Sequence, residues 1–253
     1  MDLKQQFDIL GVLARKEIKT RYKNSVFGYF WSLGNPIAFT LIFYFAFEVV
    51  FKAGVPKFVL FLMTGLFSWQ WMSNFVTGST KHFVANTSLI KKVNFPRYII
   101  PLSVNLQDAF HFLLTIPILL VMMYFYHVPY NFNLMLGIPL IFIAQFFMLY
   151  GMGLFLASLN IFFRDIEHIS IIIMNMVFYL TPVLYPIEKI PENIRWMMLM
   201  NVFAPSILAW RALFLNGELN MQFLGLSYLY AALFMLIGVY FYRKLVWKIP
   251  ELL

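Results

Sequence analysis

Long apolar runs recur along the chain and are separated by shorter polar or basic stretches. An α-helix needs about 20 residues to cross the roughly 30 Å hydrocarbon core of a membrane. Runs that approach or exceed this length cover residues 34–51, 58–79, 98–126, 135–160, 168–185 and 222–242. None alternates apolar and polar residues with the period of two that membrane β-strands show. Residues 1–253 are therefore predicted to form a single all-α integral membrane domain with six transmembrane helices, bent rather than ended at Pro117 and Pro139.

The stretch 186–217, between the fifth and sixth spans, is too apolar for a solvated loop. It is interrupted by Pro191, Asn201 and Pro205. This pattern predicts two short re-entrant helices that dip into the membrane from the external side and return. Irregular backbone at that depth must be covered by protein or line a wet cavity. A helical hairpin that lies flat on the outer surface is the alternative.

The distribution of cations predicts the orientation of the chain. With the N-terminus inside, 14 of the 19 Lys and Arg residues fall in cytoplasmic segments and five fall outside. This bias follows the positive-inside rule and predicts that both termini are cytoplasmic. Residues 1–33 contain no pattern of a signal peptide.

Two cytoplasmic segments have distinct patterns. In the first, apolar residues at spacings of three and four oppose a basic face, which predicts an amphipathic helix in the membrane interface. Its apolar residues are Leu3, Phe7, Leu10, Ala14 and Ile18. The second segment, residues 80–97, is basic and helix-compatible and ends near Pro96. It presents a short helix to a cytoplasmic partner, or it is a solvated connector.

The composition agrees with a membrane protein. The chain is 62% hydrophobic and only 12% charged, whereas soluble globular domains contain about 25% charged residues. The absence of cysteine excludes a disulfide scaffold and a cysteine-ligated metal site. The net charge of +8 does not favour nucleic acid as a partner, because most of the cations flank apolar runs.

The sequence contains no recognisable catalytic motif. It has no Gly-Lys dipeptide and therefore no phosphate-binding P-loop. It also lacks H-E-x-x-H and G-x-S-x-G, and its four histidines are scattered without ligand spacing. We predict no catalytic residue, metal site or cofactor on this chain. A transporter of this kind must use an ion gradient, allow passive flow or depend on a separate ATPase.

Asp108 is the best candidate for an ionisable group deep in a span, and His111 follows one turn later on the same face of the third helix. Ionisable groups at such a depth are costly and usually have a purpose. The pair either orients neighbouring helices by a polar contact or relays protons.

Aromatic residues are unusually frequent, at 20% of the chain. Their rings pack against lipid and anchor proteins at the membrane interface. The same rings also stack on the apolar faces of sugars, so an aromatic passage would let a glycan slide. Each aromatic residue is either a lipid-facing anchor or part of such a passage.

Several segments together resemble the membrane subunit of polysaccharide ABC exporters, the type-2 permease family that includes O-antigen, capsule and teichoic acid permeases. They are RYKNSVFGYFWSLGNP at 21–36, LIKKVNFPRYIIPL at 89–102, LNIFFRDIEHI at 159–169, and the Thr-Pro and Tyr-Pro segment that extends over 179–217. In the first segment the matching residues at the interface before the first span include Arg21, Tyr22, Lys23, Gly28 and Trp31. The Asn-Pro pair usual in the family is replaced here by Asn201 and Val202.

The resemblance implies a homodimer in the cytoplasmic (inner) membrane that exports a lipid-linked glycan such as the O-antigen of lipopolysaccharide. Two copies of a P-loop ATPase would bind ATP and Mg²⁺ and drive this chain. Implied ATPase-coupling residues are Lys81, His82, Phe83, Leu89, Lys91 and Lys92. Candidate channel-lining residues are Tyr29, Phe30, Trp31, Tyr179, Tyr185, Trp196 and Trp210. The hinge before the first span would include Gly28 and the Gly-Asn-Pro at 34–36.

Two further classes of function remain open at this stage. One is a type-2 ABC permease for a drug or a lipid. The other is a proton-coupled transporter that uses Asp108.

Overall fold

The computed structural model describes residues 2–21, 30–52 and 54–249, which are mostly helical and contain no β-strand. Its α-helices are α1 (Leu3–Arg21), α2 (Phe30–Tyr44), α3 (Phe58–Ser79), α4 (His82–Ala85), α5 (Thr87–Lys92), α6 (Ile99–Leu113), α7 (Ile116–Phe125), α8 (Phe132–Asn160), α9 (Ile166–Leu180), α10 (Glu192–Met200), α11 (Ala204–Asn216) and α12 (Met221–Leu245). A π-helix, Phe45–Val50, continues α2, and a short 3₁₀ helix covers Ile187–Lys189. The prediction of an all-α fold is confirmed.

Each of the six predicted spans contains a helix. Within the described residues three helical segments are long and apolar enough to cross a membrane: Ile99–Phe125, Phe132–Asn160 and Met221–Leu245. Pro36–Val50 and Ile166–Leu180 are shorter apolar helices. The count of six spans stays a prediction. The long apolar helices support the coarser statement that the chain is a membrane protein with several spans.

The predicted bends at proline differ between the two helices concerned. The third segment is interrupted at Leu114 and Thr115, between α6 and α7. Pro117 explains the interruption, because its ring would clash with the carbonyl group four residues earlier and it has no N–H to donate. Pro139 lies inside α8, which continues through it from Phe132 to Asn160.

The change of direction predicted at residues 34–36 does not fall at the end of a helix, and it stays a prediction. Backbone positions Gly34, Asn35 and Pro36 lie inside α2, which begins at Phe30. The carbonyl of Pro36 accepts a hydrogen bond of 2.8 Å from the Thr40 hydroxyl. Tyr22, Lys23, Gly28 and Tyr29 lie outside the described residues, as do the side chains of Arg21, Phe30 and Trp31.

Helix α3 is the centre of the bundle, and α2, α6, α7, α8, α9 and α11 all pack against it. Polar side chains connect it to its neighbours in an otherwise apolar interior. Gln145 on α8 accepts hydrogen bonds from Ser68, at 3.1 Å, and from Trp210, at 2.8 Å. Trp71 donates to Asn105 on α6 at 3.2 Å. Such buried hydrogen bonds hold membrane helices together where no hydrophobic force acts between them.

Helices α8 and α12 form the most extensive pair in the bundle. Gly151 and Gly238 lie at their crossing, and a Cβ atom on Gly238 would overlap the carbonyl oxygen of Gly151. Small residues at such a crossing allow two backbones to approach closely.

Helices α10 and α11 meet at an angle of 108°, across a break at residues 201–203. The Asn201 amide donates to the Thr181 hydroxyl at 2.7 Å, and its carbonyl oxygen accepts from the Phe203 N–H at 3.1 Å. The two predicted short helices are therefore present. Their re-entrant course through the membrane stays a prediction.

Candidate functional site

The segments predicted to be cytoplasmic meet at one end of the bundle, which we call the basic end. Tyr98 donates to Gln6 of α1 at 2.5 Å, and Arg97 donates to the Val246 carbonyl at 2.9 Å. Asn160, at the end of α8, donates to the Thr80 carbonyl at 2.8 Å. A small apolar cluster beneath them contains Leu13, Phe83, Ile90, Phe95, Ile99, Ile100, Ala157 and Ile249.

The segments predicted to be external meet at the other end. Lys57 donates to the Leu215 carbonyl at 3.1 Å, and Asn131 donates to the Gly217 carbonyl at 2.7 Å. Since α3 runs from Lys57 to the basic end, the two groups of segments lie at opposite ends of the bundle.

Helix α1 has two apolar faces rather than one. Leu13 is buried, and Ile9 and Leu10 pack beside it against the basic end. Leu3 and Phe7 are each 69% exposed. The exposed face agrees with the predicted position in the membrane interface, and the buried face fixes α1 to α6. Ile9 and Leu13 were not among the residues of the predicted apolar face.

The predicted coupling segment, α4 and α5, divides its side chains between the interior and the surface. Lys81, Lys91 and Lys92 are exposed, and Leu89 is half-buried. His82 is 6% exposed and Phe83 is fully buried. His82 and Phe83, predicted as docking residues, therefore face the interior in this structure and hold the segment on the bundle.

His82 lies in an apolar site whose nearest aromatic neighbour is Phe75, with ring centroids 5.4 Å apart. Neither imidazole nitrogen has a hydrogen-bond partner within the part of the chain that the structure describes. Burial lowers the pKa of the His82 ring from 6.5 to about 3, because the charged form loses its hydration there.

This depressed pKa predicts a loss of stability in acid. Between pH 6.5 and about 3 the unfolded chain binds a proton at His82 that the folded chain does not. The free energy of unfolding should therefore fall by about 1.4 kcal/mol for each pH unit below 6.5. We expect His82→Phe to lose this part of the pH dependence, measured by thermal unfolding in detergent at pH 7.5 and 5.0. The same substitution at the exposed His168 is the control, and an unchanged pH dependence in His82→Phe would contradict the prediction.

One ion pair connects the coupling segment to α9. The Lys81 ammonium lies 2.7 Å from a carboxylate oxygen of Glu167, in the first turn of α9. Their side chains are 59% and 28% exposed. Lys81 lies two residues after the end of α3, so the pair connects the ends of two helices that also pack against each other.

A groove of about 390 Å³ opens between α2, α3 and α9. We call it the aromatic groove. Its lining residues are Pro36, Phe39, Phe43, Leu66, Trp69, Gln70, Ser73, Asn74, Asn175, Phe178 and Tyr179. Phe178 is the centre of its aromatic wall, with ring centroids 5.5 Å from Trp69 and 6.3 Å from Phe43.

Polar side chains line the same groove beside the aromatic rings. Gln70, Ser73 and Asn74 come from α3, and Asn175 comes from α9. Amide groups both donate and accept hydrogen bonds, so this wall suits the hydroxyl groups of a sugar. Sequence reasoning missed these residues. Their recurrence at one-turn spacing inside predicted spans was the signal that could have identified them.

The predicted channel residues are not all in this groove. Tyr179 lines it and is 67% exposed. Trp210 is 1% exposed and stacks on Phe214 in the bundle core, so it lines no passage in this structure. Trp196 is 59% exposed on α10, away from the groove. Tyr185 is half-buried and donates to the Tyr179 carbonyl at 3.0 Å.

Arg211 is the most deeply buried cation among the described residues. Its guanidinium donates to the carbonyl oxygens of Pro182 and Val183, in the segment that follows α9. It also lies 3.5 Å from the ring centroid of Phe61. Arg211 thus joins α3, α11 and the end of α9, and its side chain is 6% exposed.

Asp108 and His111 are each 7% exposed on α6. Their burial agrees with both predicted roles, a contact between helices and a proton relay.

Comparison with known proteins gives consistent results. The profile of a family described as ABC-2 type transporter matches residues 9–215. The chain is 40% identical to the O-antigen export system permease protein RfbA of Klebsiella pneumoniae over 247 residues, which are 98% of this chain and 95% of the relative. It is 31% identical to the protein of the same name from Myxococcus xanthus over 220 residues, 86% of this chain and 84% of that protein.

Proposed function

Since the chain belongs to the ABC-2 type transporter family, we propose that it is the membrane subunit of an ATP-driven exporter for a lipid-linked polysaccharide of the O-antigen kind. The observation that carries this proposal is its likeness, over nearly the whole chain, to permeases named for O-antigen export. Membership of the family also implies a membrane location and a partner ATPase subunit. ATP and Mg²⁺ are proposed to bind to that partner and not to this chain.

The proposed arrangement is a homodimer of six-span subunits in the cytoplasmic membrane, with two ATPase copies and both termini inside. Segments rich in cations meet at the basic end, which supports their common location on the cytoplasmic side. The bent pair of α10 and α11 at the other end is proposed to be re-entrant from outside.

The aromatic groove is the proposed path for the glycan. Rings such as Phe178 and Tyr179 stack against sugar faces, while Asn74 and Asn175 exchange hydrogen bonds with hydroxyl groups. A glycan that binds weakly at many equivalent positions can slide along the groove, because no single position holds it tightly. Two copies of the groove, one in each subunit, would form the continuous channel.

The basic end is the proposed docking surface for the ATPase. We expect the double variant Lys91→Glu, Lys92→Glu to lose export while the protein still inserts, because two exposed cations that attract an acidic partner would repel it instead. Co-purification of the ATPase with the permease measures docking directly. Lys52→Glu, an exposed cation at the other end, is the control. Full recovery of the ATPase with the double variant would remove these lysines from the docking surface.

The Lys81–Glu167 pair is proposed to carry movement of the coupling segment to α9, one wall of the groove. Exposed ion pairs contribute at most about 1 kcal/mol to stability, so the effect should appear in export and not in folding. We expect Lys81→Glu and Glu167→Lys each to reduce export several-fold, and the double exchange to restore most of it. Surface polysaccharide measured in cells that lack the native permease provides the test. A double variant no better than either single variant would show that the pair does not couple the two segments.

The function itself can be tested in vesicles that contain the permease, its ATPase and a lipid-linked glycan. Glycan should cross only when ATP is present, and an ionophore that collapses the proton gradient should have no effect. Loss of transport with the ionophore alone would instead support the proton-coupled alternative that uses Asp108. Transport of a drug or a simple lipid, but no glycan, would support the other alternative.

A further inference from the structure

A second cavity, of about 540 Å³, lies on the other side of α9 from the aromatic groove. We call it the apolar pocket. It is bounded by α3, α8, α9, α10, α12 and the turn between α10 and α11. Its lining residues are Val76, Met152, Phe155, Leu156, Ser170, Ile173, Met174, Val177, Leu180, Met197, Met198, Asn201, Val202, Phe203 and Phe234.

The chemistry of this lining selects an apolar occupant. Ser170 and Asn201 are its only polar side chains, and Asn201 already bonds to Thr181 and Phe203. Four methionines contribute flexible thioether chains that adapt to an irregular shape. The pocket is an open cleft with an apolar lining, so inside a membrane a hydrocarbon chain can enter it from the side.

Helix α9 presents different faces to the two cavities. Ser170, Ile173, Met174 and Val177, at spacings of three, one and three, line the apolar pocket, and Leu180 continues that face. Asn175, Phe178 and Tyr179 line the aromatic groove. A helix with its side chains is about 10–12 Å across. A site for sugars and a site for hydrocarbon therefore lie one helix diameter apart.

We propose that the apolar pocket binds the hydrocarbon tail of the lipid-linked substrate while the aromatic groove holds its glycan. This inference rests on the proposed function, because only an amphiphilic substrate would use both cavities. Once the glycan is held, the tail binds as part of the same molecule and its effective concentration near the pocket is high. An ordinary membrane lipid has no such attachment.

The pocket also differs from a lipid-facing surface in its shape. The turn at Asn201, Val202 and Phe203 closes it on one side, and Phe234 of α12 closes it on another. At the base of the pocket Met174 is 2% and Phe203 is 6% exposed, and at its rim Ile173 is 50% exposed. Leu236, on the outward face of α12, is 72% exposed. A hydrocarbon chain in the pocket would contact α3, α8, α9, α10, α12 and the turn between α10 and α11.

The test uses the complete permease with its ATPase in vesicles of phosphatidylethanolamine and phosphatidylglycerol. The probe is a polyprenyl diphosphate that bears a short glycan and a diazirine on its last isoprene unit. After irradiation, labelled peptides are identified by mass spectrometry. A phosphatidylcholine with a diazirine in its acyl chain is the comparison probe. We expect the polyprenyl probe to label Met174, Phe234 or their neighbours in the pocket, and the phospholipid probe to label Leu236 and other exposed positions.

Two matched variants separate occupation of the pocket from general damage. Ile173, which lines the pocket and is 50% exposed, can accept a larger side chain without a rearranged core. We expect Ile173→Trp to reduce pocket labelling about tenfold, because the indole displaces several methylene groups of the tail. Leu236→Trp, on the exposed face of α12, should leave labelling and glycan export unchanged.

Failure of this inference is distinguishable from failure of the proposed function. If the wild-type complex exports glycan but the polyprenyl probe does not label the pocket, the tail site is overturned and the exporter stands. Equal labelling of the pocket by the phospholipid probe overturns the assignment to the substrate. Unchanged labelling and export in Ile173→Trp also overturn it. A wild-type complex that moves no glycan overturns both proposals.

Discussion

Gly238→Ala should prevent the bundle from assembling, although it adds a single methyl group. A Cβ atom at this position would overlap the carbonyl oxygen of Gly151 and lie 2.9 Å from its carbonyl carbon. Both of these are backbone atoms in the middle of α8, so no side-chain movement can relieve the clash. The two helices would have to separate along the most extensive contact in the protein.

Ordinary overpacking in a protein core costs about 1–3 kcal/mol. A backbone clash belongs at the upper end of that range or above it, and we expect a loss of about 3 kcal/mol or more. The midpoint of thermal unfolding in detergent and the fraction of monodisperse protein after extraction measure this loss. Export should fall to the background level because little folded permease remains.

Gly225→Ala is a closely matched control, on the same helix and with the same chemical change. A Cβ atom at Gly225 meets nothing within 4 Å. Alanine is favoured over glycine in helices by about 1 kcal/mol, so this variant should unfold at the same temperature or slightly higher. Equal stability of the two variants would mean that α8 and α12 do not cross at Gly151 and Gly238.

Arg211→Lys should be nearly as harmful as removal of the whole side chain, despite retention of the positive charge. The guanidinium reaches the carbonyl oxygens of Pro182 and Val183 simultaneously, through two different nitrogens. A lysine ammonium has one nitrogen, so it cannot reproduce the planar arrangement in which two nitrogens donate to two carbonyl oxygens. At least one carbonyl group would lose a charged donor in a site that water does not reach.

Hydrogen bonds to charged groups contribute about 1.5–3 kcal/mol each, and the contact with Phe61 adds to the loss. We therefore expect a decrease in unfolding free energy of about 3 kcal/mol, together with reduced export. Arg195→Lys is the control, because Arg195 also donates to two backbone carbonyls, of Glu188 and Ile190, but is partly exposed. If Arg211→Lys unfolds at the wild-type temperature, the buried fork does not anchor the segment after α9.

The sequence predicted the helical class and the approximate limits of every long helix, because apolar runs of membrane length have few other solutions. It also predicted which segments share an end of the bundle, since the cation count is a property of each loop. The break before Pro117 and the uninterrupted α8 at Pro139 could not be told apart, because the outcome depends on how neighbouring helices support each bend.

Side-chain roles were harder to predict than helix positions. Trp210 and Tyr179 were both candidate channel-lining residues, yet Trp210 is in the core and Tyr179 lines a groove. The position of Trp210 in the core depends on Gln145, because the Gln145 side chain accepts a hydrogen bond from the Trp210 indole. The two residues are 65 positions apart in the chain. The family resemblance implied that His82 is a docking residue at the surface, but its side chain is buried in this structure. No local pattern contains such information.

The glycine crossing between α8 and α12 has a consequence for biosynthesis. Helix α8 is made well before α12, with α9, α10 and α11 between them in the order of translation. Until α12 enters the membrane, the Gly151 face of α8 has no partner at that crossing among the described helices. A nascent permease therefore carries an incomplete helix surface while α9, α10 and α11 are made, and insertion of α12 covers it.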